Sequence, residues 1–243
     1  MENRLKWLSR SMREPEEKTM NRKKKTIRST GGQRRWRRTI EEVVVGNHLR
    51  ATDLCEGKRR SNIDNGMLPT GGGETYWNNW VPIKLNIFIW RLRLNSLPTR
   101  ANLSYRGILL DSILCPVCSA MIESIDHLFF GCSELIDLWN RVALWWGVHV
   151  PQHLSIDSLL FWSNSFSWRS GQRKVFDAVI MTTLWCIWNF RNCILFGTEL
   201  PMKSIIFDEM VKNSYFWVVN RCSKANIGWT NWLHNLVSAC KLL

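Results

Sequence analysis

The sequence has no long charge-free apolar run. The longest such stretch toward its C-terminal end, Ala178 to Phe190, is 13 residues, short of the ~20 needed to cross a bilayer, so no membrane association is expected. The first 30 residues are charged and lack the apolar core of a secretory signal, and Glu14, Glu16 and Glu17 argue against an organellar transit peptide. A chain of the nucleus or cytoplasm, not a secreted one, is expected. Strand signals are few, and there is no repeat of fixed period. The stretch from residue 61 onward is also poor in net charge, with 15 Lys+Arg against 12 acidic residues.

The 243 residues are 45% apolar and 22% charged, the balance of an ordinary globular chain. Fifteen Trp point to a core of aromatic-rich helices, because large rings fill the space between helices efficiently. The formal charge of +13 is mostly a tail property, since residues 1–38 carry 14 Lys+Arg against four Glu. Arg22-Lys23-Lys24-Lys25 and Arg34-Arg35-Trp36-Arg37-Arg38 are its basic runs, separated by Gly31-Gly32. Such an arm is either a solvated, poorly ordered tail or a patch that attracts nucleic acid by counterion release.

Glu41 to Val45 fits a short strand or part of a helix, and the polar, Gly-rich stretch from Cys55 to Gly73 reads as a linker. Residues 1–74 are therefore an arm and linker, and the folded body is expected to begin near Thr75. Leu85, Phe88, Ile89 and Leu92 recur at helical spacing and predict a helix over 83–95, with Pro82 in its first turn and Leu97-Pro98 at its end. Thr99 can cap a second, short helix that stops at Gly107. Ser133 can cap a third that runs to Trp146 and stops at Gly147, with Leu135, Leu138, Trp139, Val142 and Trp145 or Trp146 on its apolar face. Pro151 to Gly171 reads as a Ser-rich connector. Val175, Phe176, Val179, Ile180, Leu184, Ile187 and Trp188 then form a strong helical stripe. A further helix follows Ser204, and Trp229, Trp232, Leu233 and Leu236 suggest a last one. The fold class expected is mainly α: a helical body with a disordered basic N-terminal arm, and within that body a small stapled module over the cysteine-rich segment Cys115 to Cys132.

Three of the eight cysteines fall within 18 residues, in the pattern Cys115-Pro-Val-Cys118, His127, Cys132. Zn²⁺ takes four thiolate or imidazole ligands in a tetrahedron, and a Cys3His set fills every position. A two-residue gap lets a tight turn aim both sulfurs at one point. The longer gap lets the chain leave and return with His127 on a short helix. His127 and Cys132 are five apart, about 140° around an ideal helix, so Gly131 is expected to break that helix and turn Cys132 back. A closed four-ligand site has no position for water and reads as structural, one Zn²⁺ per chain. A thioredoxin-type redox pair would want a strand before it and leaves His127 and Cys132 unexplained; unconnected core cysteines leave the spacing unexplained. Cys186 and Cys193 read as core residues, and His48, His149, His153 and His234 as surface or hydrogen-bonded histidines.

The run Trp80-Val-Pro-Ile-Lys-Leu-Asn-Ile-Phe-Ile-Trp-Arg-Leu, then Asn95-Ser-Leu-Pro-Thr-Arg-Ala-Asn-Leu, Arg106-Gly-Ile, the cysteine cluster, Leu138-Trp139 and Trp145-Trp146 resembles the zinc-binding domain that follows the polymerase in plant non-LTR retrotransposon reverse transcriptases. The likeness covers roughly residues 76–147. A fainter one continues through Leu184-Trp-Cys-Ile-Trp-Asn-Phe-Arg-Asn192 in the helical Trp-rich region 148–243. The resemblance implies that Cys115, Cys118, His127 and Cys132 are the metal ligands, and that the domain helps hold template RNA or target DNA. It does not carry the polymerase over. A polymerase groups carboxylates around two metal ions, whereas this sequence has no Asp-Asp pair; Ile206-Phe207-Asp208-Glu209 is the nearest echo, in a helical stripe. Only about 75 residues stand before the likeness, too few for fingers and palm, and no ribonuclease-H-like carboxylate set is evident.

The expectation is thus a non-catalytic zinc-binding protein without a small-molecule substrate, binding RNA or DNA weakly. Arg91, Arg93, Arg100 and Arg106 are its candidate phosphate contacts, the plain alternative being that they solvate helix faces. Trp139, Trp145 and Trp146 could stack on bases, but beside leucines at helical spacing they are better read as core. The rival reading is a zinc-stapled protein-interaction or relic module.

Overall fold

A computed structural model describes residues 77–222, 227–234 and 236, all within one compact unit, Arg50–Leu243. The arm, the linker, His48, Cys55 and Cys240 lie outside the described residues. Seven α-helices are described: α1 (Ile83–Arg93), α2 (Arg100–Tyr105), α3 (Ile136–Trp146), α4 (Ile156–Leu160), α5 (Ser170–Phe196), α6 (Ile205–Arg221) and α7 (Trp229–His234). A π-helical turn spans His127–Gly131 and a 3-10 turn spans Trp162–Ser165. Among the described residues the only β pairing is an isolated antiparallel bridge, Leu114 to Ile122. The chain is mainly α, as its patterning predicts.

Most of the predicted helices form for the expected reasons. Leu85, Phe88, Ile89 and Leu92 form the buried face of α1. Pro82 stands one place outside it, as the N-cap. The Thr99 hydroxyl accepts from the Asn102 backbone N–H and starts α2, and Gly107 follows in the left-handed region at φ 76°. Gly147, at φ 64°, ends α3. Two expectations need correction. Ser133 does not cap α3: the helix starts at Ile136, because the Cys132 carbonyl already accepts from the N–H groups of Leu135 and Ile136 in a preceding turn. The Ser-rich connector is also not plain. Ser155 and Ser158 form a reciprocal capping box that nucleates α4.

α5 is the central element. Val175, Phe176, Val179, Ile180, Leu184 and Ile187 have no exposed surface, and α5 packs along α6 and across α1 and α4. Each such side chain contributes about 1.5–3 kcal/mol when fully buried. The helix exceeds the 13-residue apolar run within it. By length and mean hydropathy (1.3 over its most apolar 18 residues) it could cross a membrane, but 61% of that stretch is buried inside the fold. It also holds Arg191, only 1% exposed. Both features are those of a core helix.

Aromatic rings join the helices. Phe88 of α1 meets Trp185 of α5 edge-on at 5.2 Å, and Phe129 of the π turn stacks near Trp188 at 6.5 Å. Trp146 packs edge-on against Phe176 at 4.8 Å, while Trp145 packs against Trp232 at 6.1 Å. Lys84 lies over both Trp185 and Trp217. Trp139 and Trp146 are buried and Trp145 is half-buried, so these indoles are core residues, as their spacing suggests. The chain just before α1 is tied down by a buried pair: Asn78 N–H donates to Asn86 Oδ1 (2.9 Å), Asn86 Nδ2 returns a bond to the Asn78 carbonyl (3.0 Å), and Asn78 Nδ2 reaches the Lys174 carbonyl on α5 (2.9 Å).

Candidate metal centre

The four predicted ligands meet. The Sγ atoms of Cys115, Cys118 and Cys132 and a ring nitrogen of His127 all lie within 4.8 Å of one another, and Cys118 Sγ is 3.2 Å from His127 Nε2. A zinc tetrahedron with bonds of about 2.0–2.3 Å has edges of about 3.5–3.8 Å, so the cluster is already near the required size. Cys115 and Cys132 are buried, and Cys118 and His127 are half-buried. The donor set is that of a closed structural zinc site, in which three thiols and one imidazole leave no place for water.

Local structure explains the convergence. Cys115 and Cys118 flank a tight turn in which the Ser119 N–H donates to the Cys115 carbonyl at 2.8 Å. The chain then reverses, with Ser119 in the left-handed region at φ 57°, a conformation that costs an L-residue about 1–2 kcal/mol. The returning strand pairs back through Cys115 N–H to the Met121 carbonyl (2.7 Å) and Glu123 N–H to the Ile113 carbonyl (2.9 Å). Ser124 then accepts the His127 N–H through its hydroxyl at 3.0 Å.

The second half of the site differs from expectation. The helical turn does end at Gly131, with Cys132 already extended (φ −72°, ψ 117°), but it is not an α-helical turn. It widens into the π turn His127–Gly131, whose hydrogen bonds join residues five apart and so carry Cys132 back over His127. Gly131 is not in the left-handed region, and a Cβ there would meet its nearest neighbour, the Asp126 carbonyl, at an ordinary 3.7 Å. The turn type, not the glycine, solves the 140° problem. Trp139 Nε1 donates to the Phe129 carbonyl at 2.8 Å and locks α3 onto the π turn.

The sulfurs are electrostatically coupled. A hydrogen bond with Cys132 pulls the Cys115 thiol down to about 5, with the N–H groups of Cys118 and Val117 adding to the effect and burial opposing it. The same contact, joined by burial, pushes Cys132 up. To ligate a metal both sulfurs must give up their protons, so metal binding would release them.

Residues 69–139 match the family described as zinc-binding in reverse transcriptase. They carry a zinc-binding domain related to that of reverse transcriptases. No curated protein and no solved structure matches the chain. The family match ends at Trp139, within α3, while the buried face of that helix continues to Trp146.

The zinc-binding domain is bolted to α5 by a pair that sequence reading missed. Glu123 and Arg191, 0% and 1% exposed, form a bidentate salt bridge with bonds of 2.6 and 2.7 Å. Glu123 Oε2 also accepts the Arg100 N–H at 2.7 Å, and Arg191 Nη2 donates to the Pro98 carbonyl at 3.2 Å. A signal was available in Arg191, a cation directly following the apolar run of α5.

The four candidate phosphate-binding arginines separate into two kinds. Arg93 pairs with Asp157 at 3.3 Å, and Arg100 donates to the Leu114 carbonyl at 2.5 Å. Arg106 is exposed, with a long 3.4 Å bond to the Ser96 carbonyl. Arg91 is half-buried, and its Nη2 has no partner among the described residues. The Asp208-Glu209 echo sits in the first turns of α6, where Phe207 packs on Trp145. Cys186 is buried, and burial pushes its thiol up to about 12. Cys193 is exposed, contrary to a core assignment, because it lies near the C-terminal end of α5 beyond the buried stripe. His149, His153 and His234 are exposed.

Proposed function

We propose that this protein is a non-catalytic, zinc-ordered nucleic-acid-binding chain derived from a plant non-LTR retrotransposon reverse transcriptase. The observation that carries the reading is the Cys3His cluster inside the matched segment 69–139. One Zn²⁺ would be held by Cys115, Cys118, His127 and Cys132, and it would supply a cross-link that orders the loop between α2 and α3. Residues 75–147 act as the zinc-binding domain, and 148–243 as a helical region that braces it. Template RNA or target DNA would be held by Arg91, Arg93, Arg100 and Arg106 together with the basic arm. The sequence argument for no polymerase is the missing carboxylate pair. With primer, template, deoxynucleotides and Mg²⁺, the purified chain is expected to extend nothing; extension that copurifies with the chain through several columns would reverse that part of the reading.

Binding gives the direct test. Each phosphate neutralised adds about −0.7 to −0.9 to the slope of log affinity against log salt. Fourteen basic residues lie in 1–38, so deleting that arm is expected to flatten the slope sharply. A weak, salt-sensitive remainder from 39–243, lost on chelating zinc, is the outcome expected of a body that binds. A truncated chain with no retention at low salt would leave the domain as a protein-interaction scaffold instead.

A further inference from the structure

The chain reversal that carries Cys115 is covered on one side only. Its two backbone bonds, Cys115 N–H to the Met121 carbonyl and Glu123 N–H to the Ile113 carbonyl, set Leu114 directly opposite Ile122. These two exchange no backbone hydrogen bond with each other, the arrangement that brings opposed side chains closest. Alternation puts Cys115 and Glu123 on one face and Leu114 and Ile122 on the other. Cys115 and Glu123 have no exposed surface, so theirs is the inner face. The outer face of a half-exposed strand pair normally carries polar residues. Here it carries leucine and isoleucine, 38% and 51% exposed, and Met121 next to them is 60% exposed. Single apolar residues on a surface are ordinary, but a bare cross-strand pair with a third beside it marks a face that a partner covers.

A cation is fixed at the edge of this pair. Arg100, the first residue of α2, donates its backbone N–H to Glu123 Oε2 at 2.7 Å, and its Nη1 to the Leu114 carbonyl at 2.5 Å in a solvent-exposed bond. The guanidinium is therefore held against the Leu114 backbone. Its Nε and Nη2 have no partner among the described residues. Asp111 is the one charged residue between Gly107 and Ile122, and it forms no ion pair with Arg100. Open guanidinium N–H groups take the edge of a carboxylate or a phosphate. The aliphatic pair decides between the two. Unpaired bases are matched by ring faces, and this face has none. A second copy would supply aliphatic surface but bring a like charge. A polypeptide that carries both apolar and acidic side chains matches both halves of the site.

We propose that the Leu114–Ile122 face docks an amphipathic segment of a partner protein, whose apolar side chains cover Leu114, Met121 and Ile122 and whose Asp or Glu meets Arg100. The site stands apart from the nucleic-acid reading, because a strand and this partner would compete for Arg100 alone. The test presents the full chain, freshly reduced, to a displayed library of random peptides of about twelve residues. Enriched sequences are expected to combine spaced apolar residues with an acidic one. With one enriched peptide synthesised, Ile122→Ser and Leu114→Ser are each expected to weaken binding about five-fold or more. Arg100→Gln is expected to weaken it about three-fold, and changing the peptide's acidic residue to its amide should cost the same, without adding to Arg100→Gln. Phe216→Ser, which removes a 61% exposed ring from α6, should change nothing. The substituted positions are exposed, so melting temperatures should match that of the unaltered chain. A library that yields no enrichment, or only basic or wholly polar sequences, would overturn the proposal. So would peptide binding that is unmoved by both Ile122→Ser and Leu114→Ser. Oligo-dT retention that falls with Ile122→Ser, in the absence of peptide enrichment, would give the face to nucleic acid instead.

Discussion

Cys118→Ser is expected to abolish zinc retention and destabilise the stretch from 110 to 147, most of all the ligand-bearing segment ahead of α3. The thiolate lost is one of four ligands that lie within 4.8 Å of one another, and three ligands no longer close a tetrahedral structural site. Around the ligands the local ties are few, one isolated β bridge, some turn hydrogen bonds and the π turn, whereas Glu123 and the buried rings of α3 are held by the helical body. Structural zinc sites supply about 10–16 kcal/mol in small modules, and that binding energy is folding energy. Metal analysis of freshly reduced protein should give one zinc per wild-type chain and none in the variant, with amide exchange in 110–147 rising, most steeply ahead of α3. Wild-type protein that holds no zinc would end the metal reading. The pH dependence has a definite sign. The Cys115 thiol is held down to about 5 by its hydrogen bond with Cys132 and by backbone N–H groups. In the metal-free protein the stabilisation from that thiolate is present above the ordinary thiol range and declines as the pH falls toward about 5. Because every ligand must be deprotonated to hold the metal, zinc retention is expected to weaken as the pH is lowered, which a metal-sensitive dye followed across a pH titration would read.

The metal set was legible in the sequence because ligation restricts both residue type and spacing: Cys115, Cys118, His127 and Cys132 leave a pattern that packing alone would not write. α1, α2, α3 and α5 were legible because burial of one face forces a 3.6-residue period, and because Thr99, Gly107 and Gly147 carry backbone chemistry that marks helix ends. What stayed hidden is what depends on distant partners or on rare geometry. The π turn spends no distinctive residue, and Gly131, the apparent marker, is not required for it. The start of α3 was misplaced because Ser133 has the chemistry of a cap while the Cys132 carbonyl has the geometry of one. The arginines near the domain could be found by composition, but the partners that separate Arg93 and Arg100 from Arg91 and Arg106 come from the fold. Glu123 and Arg191 stand 68 positions apart in the sequence, and no local pattern connects them.

That pair gives the second large effect. Arg191→Met is expected to cost about 3–5 kcal/mol, because it leaves the Glu123 carboxylate buried without its counter-charge. The single remaining N–H from Arg100, at 2.7 Å, does not replace a bidentate guanidinium. Glu123→Gln is expected to cost nearly as much: it keeps the shape and an acceptor for Arg100, but strands a cation that is 1% exposed. At 2–4 °C per kcal/mol for a domain of this size, either change lowers the melting temperature by on the order of 10 °C. The double variant Glu123→Gln/Arg191→Met removes both charges, and buried pairs replaced by neutral side chains of similar volume are often neutral in stability. It should therefore be far less damaged than the sum of its parents. A residual loss is expected, because Arg191 Nη2 also serves the Pro98 carbonyl at 3.2 Å, which methionine cannot. Urea unfolding of the three variants, read as a double-mutant cycle, checks the argument. Purely additive losses would mean that the two side chains act separately. Strong coupling would show that the two charges act as one unit, fastening the zinc-binding domain to the helix whose Trp188 also packs on Phe129 and lies under the Arg191 guanidinium.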